Sequence, residues 1–414
     1  MPVLSVSPSA SLLDEPVRIR VSELRPGERC TLEATMQWGS TWTSSATFQA
    51  DARGSIDPVA LAPSEGTYDV VSQMGLFWSM RRESITAPPR ELNPLRVRVS
   101  ARTEDWSDEV EVQRLRVGAH VTRVPVAGPF VGTLFLPEGD VQSQAVITLG
   151  GSEGGLSEDR AALLASRGFA AMALAYFGVD GLPAELKEIP LEYFNDAFEW
   201  FLAHPRIRST GVGVVGASVG GQLALELATR FDAVGVCVSV NGSSISWGNR
   251  PSGDTAMRPA WTFGRAPVTF VDNAAALALE DAFEGGAKTG GRLQSTPLFE
   301  SALDDEAIER AAIRLEDARG AIMMIAGDDD QVWPSRQFVE LAERRLARTE
   351  NNTIFESHVF PGAGHSIGLP YLPSTVTEGS YGSLLLPRGG TPGGSASASE
   401  QSWPLIMRFL REYL

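Results

Sequence analysis

The stretch Gly211–Phe231, GVGVVGASVGGQLALELATRF, constrains this chain more than any other. Val212 to Val215 is a short run rich in β-branched residues and bounded by glycines, which reads as a buried strand of a parallel sheet. From Gln222 to Arg230, Leu223 and Leu227 stand four apart with Ala224 and Ala228 beside them, the pattern of a helix with one apolar face. Between the two lies Gly216-Ala217-Ser218-Val219-Gly220, a G-x-S-x-G in a strand-to-helix setting. A turn sharp enough to hold Ser218 in a strained conformation leaves no room for side chains at 216 and 220. The serine hydroxyl is then expected above the sheet, at the positive end of the following helix.

The segments around this turn fall into two styles. From Leu4 to about Gln113 short alternating runs such as Val17-Arg-Ile-Arg-Val21 and Leu95-Arg-Val-Arg-Val99 are separated by turn signals like Arg25-Pro-Gly-Glu. Half-buried antiparallel strands have this period, and several of them without a long helical pattern imply an immunoglobulin-like β-sandwich. After Arg114 strands and helices alternate. Ala145–Leu149, Ala170–Leu174, Ala233–Val240 and Ala321–Ile325 read as strands; Asp159–Gly168, Leu191–His204 and a closing Ser402–Leu414 read as helices. That order belongs to a doubly wound α/β domain. Residues Asn241 to about Leu303, rich in Gly, Asn, Ser and Trp, read as an inserted lid over the site, and Gly389–Ser399 as a loop. The expected domains are 1–115 and 116–414, with the insertion around 241–303.

At 414 residues with 43% hydrophobic content the chain is long enough for two globular domains. No apolar run reaches a bilayer's span, and the N-terminus lacks the basic residues of a signal peptide. Two cysteines, Cys30 and Cys237, make no disulfide framework, and no Cys/His cluster has metal-ligand spacing. A cytoplasmic protein with no metal and no cofactor is expected. The net charge of −16 argues against nucleic acid and anionic membranes as partners. It is uneven, since residues 1–130 nearly balance 14 Arg against 16 acidic side chains. Arg81, Arg82, Arg90, Arg96, Arg98, Arg102, Arg114, Arg116 and Arg123 read first as solvated strand faces, with a local phosphate-binding surface as the alternative.

A serine attacks only when a base takes its proton. Four histidines are candidates. His120 precedes the α/β region, His204 reads as a cation at a helix end, and His358 falls in a strand pattern. His365, in Phe360-Pro-Gly-Ala-Gly-His365, sits on a glycine-rich loop directly after a strand, the setting an α/β-hydrolase requires of its base. The acid should lie between serine and histidine in the chain. The apolar strand from Ala321 ends in Asp328-Asp329-Asp330, at the end of the sheet where ligands bind. Asp330, just before Gln331-Val332-Trp333-Pro334, is the choice, with Asp329 in reserve. For the developing oxyanion the expected donors are the amides of Val219 and of Ser152, with Gly151 next to it in Gly150-Gly-Ser-Glu-Gly-Gly155. That loop lacks the Lys-Ser/Thr ending of a phosphate-binding P-loop.

With these residues in hand, the chain resembles the acyl-CoA thioesterase and bile acid-CoA:amino acid N-acyltransferase family over nearly its whole length. The resemblance rests on Asp14-Glu-Pro-Val-Arg-Ile, Met74-Gly-Leu-Phe-Trp78, Gly132-Thr-Leu-Phe-Leu-Pro137, Gly168-Phe-Ala-Ala-Met-Ala-Leu-Ala-Tyr176 and Leu191-Glu-Tyr-Phe194. It continues in Val215-Gly-Ala-Ser-Val-Gly-Gly221, Gly327-Asp-Asp-Asp-Gln-Val-Trp-Pro334, Pro361-Gly-Ala-Gly-His365 and Pro370-Tyr-Leu-Pro373. It implies an α/β-hydrolase domain preceded by an immunoglobulin-like β-sandwich domain, an acyl-thioester substrate, and a triad of Ser218, Asp330 and His365. The amino-acid-conjugating members of the family carry a cysteine nucleophile, where this chain has Ser218, and that favours hydrolysis. The expected function is cleavage of an acyl thioester through an acyl-serine. The alternatives are acyl transfer to an amine or alcohol, and hydrolysis of a carboxylic ester or lactone. A non-catalytic binding protein on a hydrolase scaffold is the reading from another class. The sequence leaves the acyl group and the oligomeric state open.

Overall fold

Alternation of apolar and charged side chains builds the first part of the chain. Strands Arg29–Trp38, Ser40–Gln49, Leu95–Arg102 and Ser107–Leu115 form the antiparallel body of a seven-stranded sheet. Val3–Ser7 and Arg18–Ser22 pair in a second, two-stranded sheet. Val97, Val99 and Ala101 are buried, while their neighbours Arg96, Arg98 and Arg102 face outward, where they meet Glu111, Glu109 and Glu33. Exposed cross-strand ion pairs of this kind add little stability; they keep the strand surfaces soluble. Arg114 breaks the alternation. It is buried, donates to the Ser11 hydroxyl and, at 2.8 Å, to the Leu13 carbonyl, and lies over the Phe77 ring. Burial pulls its pKa down to about 10. Arg116 is also buried and donates to the Glu91 carbonyl. These arginines thus serve strand surfaces and internal packing.

The computed structural model describes residues 1–414 except 85, 87, 88, 90, 140, 141, 252 and 351, so Arg90 lies outside the described residues. The chain divides into two units. One is Met1–Gly118 with Gly368–Val376 and Thr391–Trp403; the other is Ala119–Ile367 with Thr377–Gly390 and Pro404–Leu414. In the first, the short helix Gly75–Trp78 is wholly buried, and the Ser374 amide donates to the Trp78 carbonyl at 2.9 Å.

Besides two small three-stranded sheets, the second unit is built on one eight-stranded sheet with connecting helices. Its strands are β1 (Val121–Ala127), β2 (Val131–Pro137), β3 (Ser143–Leu149), β4 (Ala170–Ala175), β5 (Ile207–Ala217), β6 (Val234–Val240), β7 (Ala321–Gly327) and β8 (Phe355–Phe360). The helices that matter below are α1 (Glu158–Ser166), α2 (Glu192–Leu202), α3 (Val219–Ala228), α4 (Ala274–Thr289), α5 (Ser335–Arg348) and α6 (Pro392–Tyr413). The strand order is β1-β2-β4-β3-β5-β6-β7-β8, with β2 antiparallel to its neighbours and every later pair parallel. This is the α/β-hydrolase arrangement. Every residue of β4 and β7 is buried, as strands covered on both faces must be. The order reverses at β3, so the loops leaving β3 and β5 open side by side at the carboxyl edge, where such sheets bind ligands. Leu149 at the end of β3 pairs in register with Gly216 near the end of β5.

Two segments depart from the sequence reading. Gly389–Ser399, expected as a loop, is helical from Pro392, and the closing helix runs from there to Tyr413 rather than from Ser402. Ser395, Ala396, Ala398, Ser399 and Ser402 are buried. The Gly and Ser residues lower helix propensity by less than close packing repays, so tertiary contact decides this helix. Residues 241–303 are more regular than their composition implies. They contain α4, whose N-terminus is capped by the Asn273 side chain accepting from the Ala276 amide at 2.9 Å. Trp247, Val271, Ala276, Ala302 and Leu303 from this segment form an apolar cluster with Trp333 and Phe338.

Candidate active site

Ser218 stands between β5 and α3 at φ 56°, ψ −125°, a conformation that a residue with a Cβ adopts only under constraint. The constraint is local crowding. A Cβ on Gly216 would overlap the Gly220 carbonyl, and one on Gly220 would overlap the Gly150 carbonyl. Only glycine fits at either place. The Ser218 amide donates to the Val240 carbonyl at 2.9 Å, and the Ser218 carbonyl accepts from Gly221 and Gln222, which locks the turn onto the helix.

The Ser218 hydroxyl is 2.9 Å from Nε2 of His365, and Nδ1 of His365 is 2.7 Å from Oδ2 of Asp330. Asp330 is buried. Its Oδ2 also accepts from the Ser335 hydroxyl at 2.6 Å, and its Oδ1 from the amides of Val332 and Trp333 at 2.9 and 3.3 Å. Four donors around one carboxylate fix its direction. Asp329 and Asp328 do other work: Asp329 accepts from the Gly390 amide and Asp328 from the Gly362 amide, and both are exposed. The three residues chosen from the sequence therefore meet in one hydrogen-bonded line.

The remaining histidines lie elsewhere. His120 bonds the Ser166 carbonyl, and His358, on β8, bonds Glu356. His204 is not the helix-end cation expected of it. Its Nδ1 accepts from the Arg206 amide, and burial followed by the nearby Arg206 lowers its pKa, so the neutral ring is favoured.

Val219 opens α3, so its amide has no acceptor within the helix. In the loop after β3, Gly151 is the residue set against Ser218: a Cβ built there would lie 3.3 Å from the serine Cβ. Its amide donates to the Glu153 carboxylate at 3.2 Å. Ser152, one residue on, is exposed. The buried Tyr176 hydroxyl donates to the Gly150 carbonyl at 2.8 Å and tethers this loop to β4's end.

Asn241 is the residue that sequence reasoning passed over. It follows β6 at φ 46°, and its side chain accepts from the Gly327 amide at 2.8 Å and donates to the Gly364 and His365 carbonyls at 3.2 and 2.8 Å. Its own carbonyl accepts from Trp333 Nε1 at 2.8 Å. One asparagine thus ties the end of β7, the histidine loop and the loop that carries the acid.

Profile comparison matches residues 14–128 to the acyl-CoA thioester hydrolase/BAAT N-terminal region, and residues 189–414 to the BAAT/acyl-CoA thioester hydrolase C-terminal region. The chain belongs to this family. Among characterised members, human bile acid-CoA:amino acid N-acyltransferase is 32% identical over 99% of this chain and 97% of its own length. The mouse protein of that name is 30% identical over 100% and 98%. Human acyl-coenzyme A thioesterase 1 is 30% identical over 97% of this chain and 94% of its own. The acyl-CoA thioester hydrolase/BAAT C-terminal match spans α2 to α6, so Ser218, Asn241, Asp330 and His365 all fall inside it. The loop after β3, with Gly151 and Glu153, lies between the two matched regions. No helix among the described residues of this family member is long and apolar enough to cross a membrane.

Proposed function

We propose that the protein is a serine hydrolase that cleaves acyl thioesters, acyl-CoA or related, through an acyl-serine on Ser218. The observation that carries this is the hydrogen-bonded line from Ser218 through His365 to Asp330, with the serine strained at the head of α3. The Ser218 oxygen attacks the thioester carbonyl while its proton passes to Nε2 of His365. Asp330 holds the ring with Nδ1 protonated and offsets the charge it acquires. The carbonyl oxygen becomes an oxyanion, stabilised by the Val219 amide and an amide of Gly151–Ser152. The carbon–sulfur bond then breaks, and His365 returns the proton to the departing thiolate. A water gives its proton to His365 and attacks the ester carbonyl; the bond from the carbonyl carbon to the Ser218 oxygen breaks, the acid leaves, and His365 returns the proton to that oxygen. Residues 1–115 and 116–414, the latter with its insertion around 241–303, are the two functional domains in this reading. Cys30 and Cys237, free and buried, accord with a cytoplasmic location.

Relatives whose names are N-acyltransferases favour a second reading, in which an amine in place of water resolves the acyl-serine. Intact-protein mass spectrometry after brief mixing with acyl-CoAs separates the two. An adduct on Ser218 that decays at the same rate with and without amino acids supports hydrolysis; one that clears only when an amine is added supports transfer. Absence of any adduct, together with no fluorophosphonate labelling of Ser218, overturns both.

A further inference from the structure

The family's chemistry does not explain why a carboxylate stands in the loop after β3. The Glu153 side chain accepts from the Gly151 amide at 3.2 Å. It also lies on the side of Gly151 that faces the nucleophile: a Cβ built on Gly151 would be 2.8 Å from Glu153 Oε2 and 3.3 Å from the Ser218 Cβ. An oxyanion formed at Ser218 needs a donor within about 2.7–3.1 Å, so a carboxylate already on that amide competes for the same position. Two like charges brought to one amide also repel each other.

We infer that Glu153 is a displaceable occupant of the oxyanion site, which sets how readily a carbonyl group enters it. The inference rests on the reading that Ser218 is the nucleophile and that Gly151–Ser152 supplies one of the oxyanion donors. The residue is built to leave. Glu153 is exposed, so its side chain moves without unpacking the core. A substrate carbonyl takes the Gly151 amide, and the exposed carboxylate turns away toward solvent. Glu153 then acts against weakly bound carbonyl groups and yields to those anchored elsewhere in the site.

The test is Glu153→Ala, with Glu153→Gln as the milder variant, read with neutral probes so that the bulk charge of a CoA ester does not enter. The second-order rate of Ser218 labelling by a fluorophosphonate should rise roughly 10-fold in Glu153→Ala, the equivalent of about 1.4 kcal/mol, and by less in Glu153→Gln. For p-nitrophenyl butyrate, KM should fall with kcat nearly unchanged, since the group competes with binding. A merely structural loop residue would give slower labelling and a lower kcat. Labelling of Ser218 that is unchanged or slower, in variants that melt like the wild type, overturns the inference and leaves the Ser218 reading standing. Failure to label Ser218 in any of the proteins overturns both.

Discussion

At the scale of single residues, the proposed nucleophile is a serine held in a strained turn by its neighbours. Ser218→Ala removes that hydroxyl and nothing else, because the side chain is small and the turn is held by backbone bonds through its amide and carbonyl. Acyl-CoA hydrolysis should fall by at least about 1,000-fold. The melting temperature should stay within a degree or two, and a fluorophosphonate should no longer label the protein. Retention of most of the activity would assign the chemistry elsewhere. Asp330→Asn tests a different function. The amide still accepts from Val332 and Trp333, but it presents an N–H or a weaker acceptor to His365 Nδ1 and favours the wrong tautomer. The expected loss in kcat is about 10³–10⁴-fold, with KM little changed, and Asp329→Asn should cost almost nothing. A comparable loss from Asp329→Asn would mean that the acid in solution is not the one in contact with His365.

At the scale of elements, the proposed catalytic residues stand at or just beyond the ends of strands, and Asn241 joins the end of β7 to the loops that carry His365 and Asp330. Asn241→Ala leaves the Gly327 amide, the Gly364 and His365 carbonyls without their buried partner, at a cost of about 1–3 kcal/mol in stability. The histidine loop also loses the tether that sets its distance from Ser218. We expect kcat to fall about 10- to 100-fold while fluorophosphonate labelling persists at a reduced rate, because small misplacements of a catalytic base are expensive. A stability loss without a change in kcat would reduce Asn241 to a structural role. This residue also marks the limit of what the sequence discloses. The turn at Ser218 is legible because its requirements are met within five residues, two of them glycines with no alternative. The proposed acid and base are legible because each follows a run that reads as a strand. Asn241 and Ser335 are not, since the partners of Asn241 are 86 or more residues away and the bond of Ser335 depends on how a helix starts; nor is the helical state of Pro392–Ser399, whose Gly, Ser and Ala residues carry no apolar period. Its register comes from the surfaces it packs against, and no local pattern records them.

At the scale of the whole molecule, charge and substrate stand in opposition. The chain carries −16, and a CoA thioester is itself a polyanion. The arginine-rich strands of the first unit do not reverse this, because Arg96, Arg98 and Arg102 are each met by a glutamate, and Arg114 is buried in its own packing. Encounter with an acyl-CoA is then slowed by the protein's field, and screening should relieve it. Between about 0.01 and 0.1 M salt the Debye length shrinks from roughly 30 to 10 Å, well inside the dimensions of a domain of this size. Over that range kcat/KM for an acyl-CoA should rise by about two- to fivefold, while kcat/KM for neutral p-nitrophenyl butyrate stays constant. A matched pair of titrations with these two substrates gives the answer. If kcat/KM for the acyl-CoA falls with salt instead, a local cationic surface outweighs the global charge, and the cations near the site become the next residues to replace. If neither substrate responds, the field is irrelevant to encounter, and a carrier-bound or neutral acyl donor becomes the better candidate for what Ser218 meets.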